Sequence, residues 1–323
     1  MNNNNSPVII TNKPIIIRKS TRLVRFRKNK ALLFMCTPAI LFFFVLSYLP
    51  MPGVYLAFVK FNYAKGIFGS VFCGFDNFRF LITSGQLWKL TSNTVFYNIL
   101  FIFLGNIVQI FIAILLNEIA GRRFKKITQT VMFLPYFISA VIVGLFAYNI
   151  LNYQNGLLNI VLKIFDGTPI KAYSTPIIWP FIIVATFLWQ STGYGSIVYF
   201  AAIMGIDSEF MEAAQIDGAN SFQRIRYILL PSLRPTFIIL LLFSLGGIMK
   251  GNFGLFYNLV GASNAVLFDK TDIIETFVFR ALMNNFNFSM GSAVGLYQSV
   301  FGFALVMLAN WIVNRIEPEY SLF

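Results

Sequence analysis

The sequence contains no histidine, only two cysteines and only 12 acidic residues in 323. Without histidine there is no His-based nucleophilic triad, and with cysteine so scarce there are no Cys/His metal clusters. Cys36 and Cys73 are far apart and form no CxxC pair, and Cys36 sits in an apolar run, which excludes a disulfide scaffold. Charge of either sign is scarce. Asp, Glu, Lys and Arg make up 11% of the chain, against roughly a quarter of a typical soluble domain. What replaces them is apolar: 57% of residues are hydrophobic, 38 of them phenylalanine, and the mean hydropathy is +0.72. A water-soluble domain, a disordered chain and a collagen are excluded, which leaves an integral membrane protein.

The few charges mark borders. Ala31 to Val59, Leu90 to Asn117, Ile127 to Leu162, Ala172 to Ile206 and Ala281 to Asn314 contain none, and Pro235 to Phe268 is interrupted only by Lys250. A helix needs about 20 mainly apolar residues to cross the hydrocarbon core. Each stretch holds one crossing and none comfortably holds two, so the expectation is six transmembrane helices. The ~10-residue alternation of a membrane β-barrel is absent. The expected architecture is an all-α polytopic membrane protein. It has a basic tail over 1–30, a six-span domain over 31–314 with a distinctive loop at 207–235, and a short tail over 315–323.

Basic residues set the orientation. Lys13, Arg18, Lys19, Arg22, Arg25, Arg27, Lys28 and Lys30 precede the first stretch. Arg122, Arg123, Lys125 and Lys126 follow the second, Arg224, Arg226 and Arg234 follow the fourth, and Arg315 follows the sixth. The opposite side carries Lys60, Lys65, Arg79, Lys89, Lys163, Lys171, Lys270 and Arg280. The richer side is expected in the cytoplasm, with both termini. The net charge of +13 belongs mainly to these membrane-flanking clusters, which meet anionic lipid, and not to a nucleic-acid surface. The N-terminus does not read as a cleavable signal: its apolar run is too long, and no small-residue cleavage site is obvious.

The loop after the fourth stretch differs from the others. Asp207 or Ser208 is a plausible helix N-cap, and Glu209 and Glu212 follow where acids suit the helix dipole. Ala213 and Ala214 leave a surface poor in side chains, and Gly218 permits a change of direction. Phe222, Ile225 and Leu229 recur at helical spacing, and Pro231 and Pro235 are expected to end the segment before the fifth span. This reads as two short amphipathic helices joined at a glycine. Such an element either docks into a partner's groove or lies on lipid; small residues favour close approach to protein, whereas a lipid-facing helix favours larger apolar ones.

These residues carry a resemblance. Glu212-Ala213-Ala214, then Gly218, Ile228, Leu230 and Pro231, with Asp217 and Ala219 also fitting, resemble the EAA motif of ABC-importer permeases, the binding-protein-dependent inner-membrane components with the MetI-like fold. Gly74-Phe75-Asp76-Asn77-Phe78, Leu134-Pro135-Tyr136-Phe137-Ile138-Ser139, Gly156-Leu157-Leu158-Asn159 and the tail from Asn310 to Phe323 are similar to the sugar branch of that family, the LplB-type permeases for oligosaccharides and polysaccharide fragments. The resemblance implies a multi-pass permease of the bacterial cytoplasmic membrane. Its implied partners are a second permease, two ATPase subunits, an extracellular solute-binding protein and a saccharide. The loop residues Glu209 to Gly218, with the later motif positions, would then couple the spans to the ATPase, and the halves would rock about a central site. Another delivered solute, such as glycerol phosphate or a polyamine, is the alternative within the class.

The chain itself is expected to be non-catalytic and free of cofactor. It has no GxxxxGK[ST] loop, and Gly246-Gly247-Ile248-Met249-Lys250 only echoes one, so ATP and magnesium would sit on the partner ATPase. A carboxylate pair or activated nucleophile for a membrane enzyme is not evident. A self-contained secondary transporter would call for internal repeats and buried acids, and the apolar stretches contain no Asp or Glu.

Polar residues within spans are candidates for a translocation path. They include Asn98, Asn106, Gln109 and Asn258. Saccharide recognition joins planar hydrogen-bonding groups to aromatic faces, which singles out Tyr148 and Asn149, Trp189, Gln190 and Tyr194, and Lys250 with Asn252. Each also reads as an ordinary interhelical or interfacial residue. A continuous helix from Pro235 would carry Lys250 about 22 Å along the span, past the midplane. From there it snorkels, meets an acidic group on a cargo, or pairs with a partner permease. The glycines around it allow close helix approach or unwinding.

Overall fold

The computed structural model describes residues 30–261, 263–316 and 318; most of the basic N-terminal tail and of the C-terminal tail lie outside them. Among the described residues, five helices are long and apolar enough to cross a membrane, or six spans if one sharply bent pair counts as one. Among the described residues, those up to Gly53 form a unit of their own. It contains helix α1, Lys30–Phe43, with Pro38 inside it, running on as a wider turn over Phe44–Tyr48.

From Val54 onward comes the segment before the second span. It folds as an antiparallel hairpin, β1 Val59–Asn62 and β2 Ser70–Phe72, followed by α2, Asp76–Thr83. The Asn77 amide donates to the carbonyls of Ala57 and Val59 at 2.8 and 3.2 Å, tying α2 to the hairpin. The Phe61 amide donates to Ser289 Oγ at 2.9 Å, tying it to the start of the last helix.

Helix α3, Gln86–Glu118, is the second span. The third apolar stretch is not one helix. α4, Arg122–Phe133, passes through a tight turn at Leu134–Phe137 and meets α5, Ala140–Leu151, at 93°. Pro135 cannot donate a helical hydrogen bond, and Ser139 restarts the chain by capping α5 through Ile142 N. After α5 comes α6, Leu157–Ile164, held by Asn159, which is fully buried. Its amide reaches the carbonyls of Asn152, Tyr153 and Ile170 and accepts from Ile170 N at 2.7 Å. Helix α7, Trp179–Met204, is the fourth span, with Pro180 in its first turn.

The fifth span departs most from expectation. Pro231 and Pro235 do not end a segment; both lie inside one helix, α9, Ser221–Leu245. The helix admits them because Ile225–Leu229 is a π-type turn, in which Leu230 N bonds to Ile225 O. The wider turn shifts the ladder just where Pro231 lacks a donor. After Leu245 the helix stops, and the chain crosses Gly246 to Asn252 without helical structure. It resumes as α10, Phe253–Val260. The helical count that placed Lys250 deep in a continuous span therefore does not apply. A turn at Phe268–Thr271 leads to α11, Ile274–Met283, and the last span is α12, Phe288–Ile316.

Two buried clusters hold the centre. Tyr97, Phe101, Trp179, Ile183, Leu255 and Phe256 join α3, α7 and α10. Ala113, Ile114, Tyr199, Ile203, Leu229 and Leu233 join α3, α7 and α9 near the loop. Glycine makes the closest approaches possible: a side chain on Gly193 would collide with the Met132 backbone, and one on Gly195 with the Gln109 side chain.

Candidate functional site

The loop after α7 presents helix α8, Ser208–Ile216. The Asp207 carboxylate caps it, accepting from Glu209 N at 3.1 Å. Ala219 N closes the end on Ala214 O at 2.9 Å, with Gly218 at φ +77°. That left-handed conformation costs glycine least. Asn220 and Gln223 then cap each other reciprocally, at 2.8 and 2.9 Å, and start α9.

A nine-residue helix does not hold itself together in water, so its packing matters. Met211 and Ile225 pack onto the cluster around Tyr199 and Ile203. The opposite face is open: Glu209, Glu212, Ala213 and Asp217 are exposed, and Phe210 and Ile216 are 65% and 86% exposed. Large apolar groups beside two glutamates on a rigidly backed helix make a surface suited to a protein partner. Ala214 and Ala219 are half-buried behind it. The later motif positions stand apart: Ile228 lies in the π-type turn, with Leu230 and Pro231 just beyond it in α9.

Further along the spans, α3, α7, α9 and the break after Leu245 border an open cavity of about 630 Å³. Asn98, Asn106, Gln109 and Asn252 supply amides to its wall, and Phe101, Tyr136, Phe187, Tyr194 and Phe243 supply rings. Phe101 stacks on Phe187 with centroids 3.9 Å apart, and Tyr136 on Tyr194 at 4.8 Å. Lys250 is the one charged side chain among the described residues lining it. Ser191 Oγ is buried without a hydrogen-bond partner among the described residues.

The structure brings Tyr194, Lys250 and Asn252 together on this wall and leaves five of the sequence candidates elsewhere, among them Asn258, which donates to Gly254 O of its own helix at 2.7 Å. Gln190 donates to Ile138 O at 3.1 Å, holding the bend between α4 and α5. Asn149 donates to Leu145 O of its own helix at 2.8 Å. Tyr148 packs against Tyr173, with ring centroids 5.9 Å apart. Trp189 does not line the cavity. Sequence reasoning missed Phe101, Phe187 and Phe243, because 17% of the chain is aromatic and no ring stands out from the others. Tyr136 sat within a quoted motif without being singled out for the path.

It also missed Glu275, which lies outside the apolar stretches and folds back onto the break. Its Oε1 accepts from Gly251 N at 2.6 Å and from Gln298 Nε2 at 2.6 Å. The Gln298 amide also donates to Met249 O at 2.6 Å. A Cβ on Gly251 would meet the ends of the Ile273 and Glu275 side chains, which would have to shift.

An all-α chain of several membrane-crossing helices, with a largely apolar, aromatic-lined cavity between them that carries a few polar groups and a backed surface helix on one loop, is a polytopic transport protein. The comparisons give the family. Residues 105–321 match the model of the binding-protein-dependent transport system inner membrane component, and the chain belongs to this family. It is 30% identical over 308 residues to the polygalacturonan/rhamnogalacturonan transport system permease protein YteP of Bacillus subtilis, covering 94% of this chain and 95% of that one. It is 30% identical over 314 residues to Protein LplB of the same organism, covering 97% and 96%. Among solved structures it is similar to a chain of a bacterial ABC transporter involved in the import of the acidic polysaccharide alginate, with a TM-score of 0.82 and 30% identity over 92% of this chain and 100% of that one. It is likewise similar to a chain of a bacterial alginate ABC transporter solved in complex with an alginate pentasaccharide-bound periplasmic protein, with a TM-score of 0.82 and 29% identity over 91% of this chain and 98% of that one. The chain is thus an ABC-importer permease, a membrane transport subunit.

Proposed function

We propose that this permease passes acidic oligosaccharides, delivered by an extracellular binding protein, across a bacterial cytoplasmic membrane. The observation that carries the reading is the cavity wall, which sets one lysine among amides and stacked rings. Rings cover the apolar faces of sugars, amides meet hydroxyls, and an ammonium suits a uronate carboxylate. The similarity to YteP, a polygalacturonan/rhamnogalacturonan permease, and to a transporter of the acidic polysaccharide alginate supports the same cargo class. A polyamine would be repelled by Lys250.

In this reading α8 is the coupling helix. Glu209, Glu212, Ala213, Ala214, Asp217, Gly218 and Ala219 form its docking element, and Ile228, Leu230 and Pro231 form the root of the following helix. The docked partner is one of two ATPase subunits that carry ATP and magnesium, and a second permease completes the path. The basic borders support a cytoplasmic position for both termini and α8. Because Met211 and Ile225 share a cluster with α3, α7 and α9, a push on α8 reaches the helices that wall the cavity.

Replacing Lys250 tests the cargo. Lys250→Met should lower uptake of a uronate oligosaccharide about tenfold more than uptake of a neutral one of equal length, the scale of a hydrogen bond to a charged group. Equal effects on both cargoes would overturn the acidic reading.

A further inference from the structure

Of the amides on the cavity wall, most are already engaged. Asn98 and Asn106 donate to Thr94 O and Ile102 O of their own helix at 2.9 and 2.7 Å. Asn252 Oδ1 accepts from Leu255 N at 3.2 Å. Gln109 is the exception. Its side chain is half-buried and makes no hydrogen bond among the described residues. Yet it is closely seated. Its amide fills the space that a Cβ on Gly195 of α7 would need, with its carbon, oxygen and nitrogen 2.1, 2.2 and 2.4 Å from that position. Ser191 stands one turn before Gly195 on the same face of α7. It also lines the cavity, and its Oγ is buried without a hydrogen-bond partner among the described residues. An amide that served only to join the two spans would bond across to α7, whereas this one rests on a glycine. Polar groups left unpaired at a largely apolar wall cost free energy unless something enters to pair them.

We infer that Gln109 is a specificity-determining residue: with Ser191 it reads the hydroxyls of the cargo, and Gly195 is the positioning residue that seats its amide. The inference rests on the saccharide part of the reading above and not on the charge of the cargo. An amide offers donors and an acceptor, and a hydroxyl answers both. A sugar ring therefore pairs with Gln109 and Ser191 whether or not it carries a carboxylate. Lys250 adds the preference for acid; Gln109 supplies the share of recognition common to acidic and neutral sugars. A cargo without hydroxyls is rejected here because it leaves both groups unpaired.

The test measures equilibrium binding of labelled tetragalacturonate and of labelled maltotetraose to the assembled permease–ATPase complex in lipid nanodiscs. Gln109→Met, which keeps the length of the side chain and removes its amide, should weaken both probes about fivefold, the scale of a hydrogen bond between neutral groups. The ratio of the two affinities should stay at the wild-type value. Unchanged affinities, or a loss confined to one probe, would overturn the inference and leave the acidic reading intact, since Lys250→Met tests that reading through the ratio. Wild-type binding of tetragalacturonate alone would overturn the common share assigned to Gln109. Binding of neither probe would overturn the saccharide reading, and this inference with it. Gly195→Ala keeps the Gln109 amide but displaces it, and should reproduce the loss; it carries the test even where Gln109→Met does not assemble. Gln109→Ala combined with Gly195→Ala should bind no worse than Gln109→Ala alone, because the new Cβ then has room. Additive losses in that pair would show that Gly195 does not act through Gln109 and would overturn its positioning role.

Discussion

The Tyr199 hydroxyl donates a 2.5 Å hydrogen bond to Oδ1 of Asn106, and the residues sit on the two spans that frame both candidate sites. Asn106 faces the cavity, while Tyr199 lies in the cluster that also receives Met211 of the surface helix. The amide of Asn106 is already engaged with Ile102 O at 2.7 Å, so its side chain is fixed at both ends.

Tyr199→Phe removes the donor and leaves a buried acceptor unpaired. Interhelical hydrogen bonds of this kind contribute about 1 kcal/mol. The fold should survive, with a small drop in thermal unfolding midpoint, while cargo-stimulated ATP hydrolysis in the assembled transporter falls several-fold. If cargo stimulation is fully retained, this contact does not carry the coupling.

The surface helix gives a second prediction. Glu212 is exposed one turn from Ile216, on the same face, so reversing its charge changes a docking surface and no core. Glu212→Lys should abolish uptake while the protein still reaches the membrane in normal amount. Gly218→Leu should weaken co-purification of the ATPase, because φ +77° is strained for any branched side chain. Normal uptake in the first variant, or unchanged association in the second, would remove α8 from the coupling role.

The spans were legible where apolar length alone decides, as in α3, α7 and α12. They were not legible where the chain turns inside an apolar run. Hydropathy does not register the 93° bend between α4 and α5, which depends on Pro135 and on the Ser139 cap. Pro231 and Pro235 read as helix breakers because a π-type turn has no sequence signature of its own. Lys250 was picked out as the charge inside an apolar stretch, yet its position was misjudged, since Gly246, Gly247 and Gly251 let the helix stop short of it. The amides failed as markers of the path for a different reason. Asn149 bonds back to its own helix and Gln190 holds a backbone carbonyl; Asn98 and Asn106 bond back in the same way yet line the cavity, and composition does not tell which amide the packing turns toward it.

Helix crossing at Gly193 gives a third prediction. A Cβ there would meet the Met132 carbonyl well inside van der Waals contact, and the neighbour is backbone that cannot rotate aside. Gly193→Ala should therefore cost about 1–3 kcal/mol by overpacking and release α4 from α7. Gly295→Ala in α12, where a Cβ meets nothing within 4 Å, should cost nothing. Comparing thermal unfolding midpoints of the two variants in one detergent checks this, and equal midpoints would refute the packing argument.

The turn before α11 supplies the last prediction. Asp272 is only 5% exposed, and its carboxylate takes Arg280 at 2.5 Å on one oxygen and the Thr276 hydroxyl at 2.7 Å on the other. The guanidinium also lies over the Phe268 ring, 3.9 Å from its centroid. Taking one partner from such a pair leaves a buried charge uncompensated, which costs about 3–5 kcal/mol, whereas replacing both with apolar groups is often close to neutral. Arg280→Met should thus destabilise the protein strongly. Asp272→Leu combined with Arg280→Met should recover much of the loss, because the Phe268 ring still offers an apolar face to the new side chains. Unfolding midpoints of the single and double variants decide the matter. If the double variant is as unstable as the single, the pair contributes through hydrogen-bond geometry, with Thr276 and the backbone depending on the Asp272 carboxylate, and not through charge compensation.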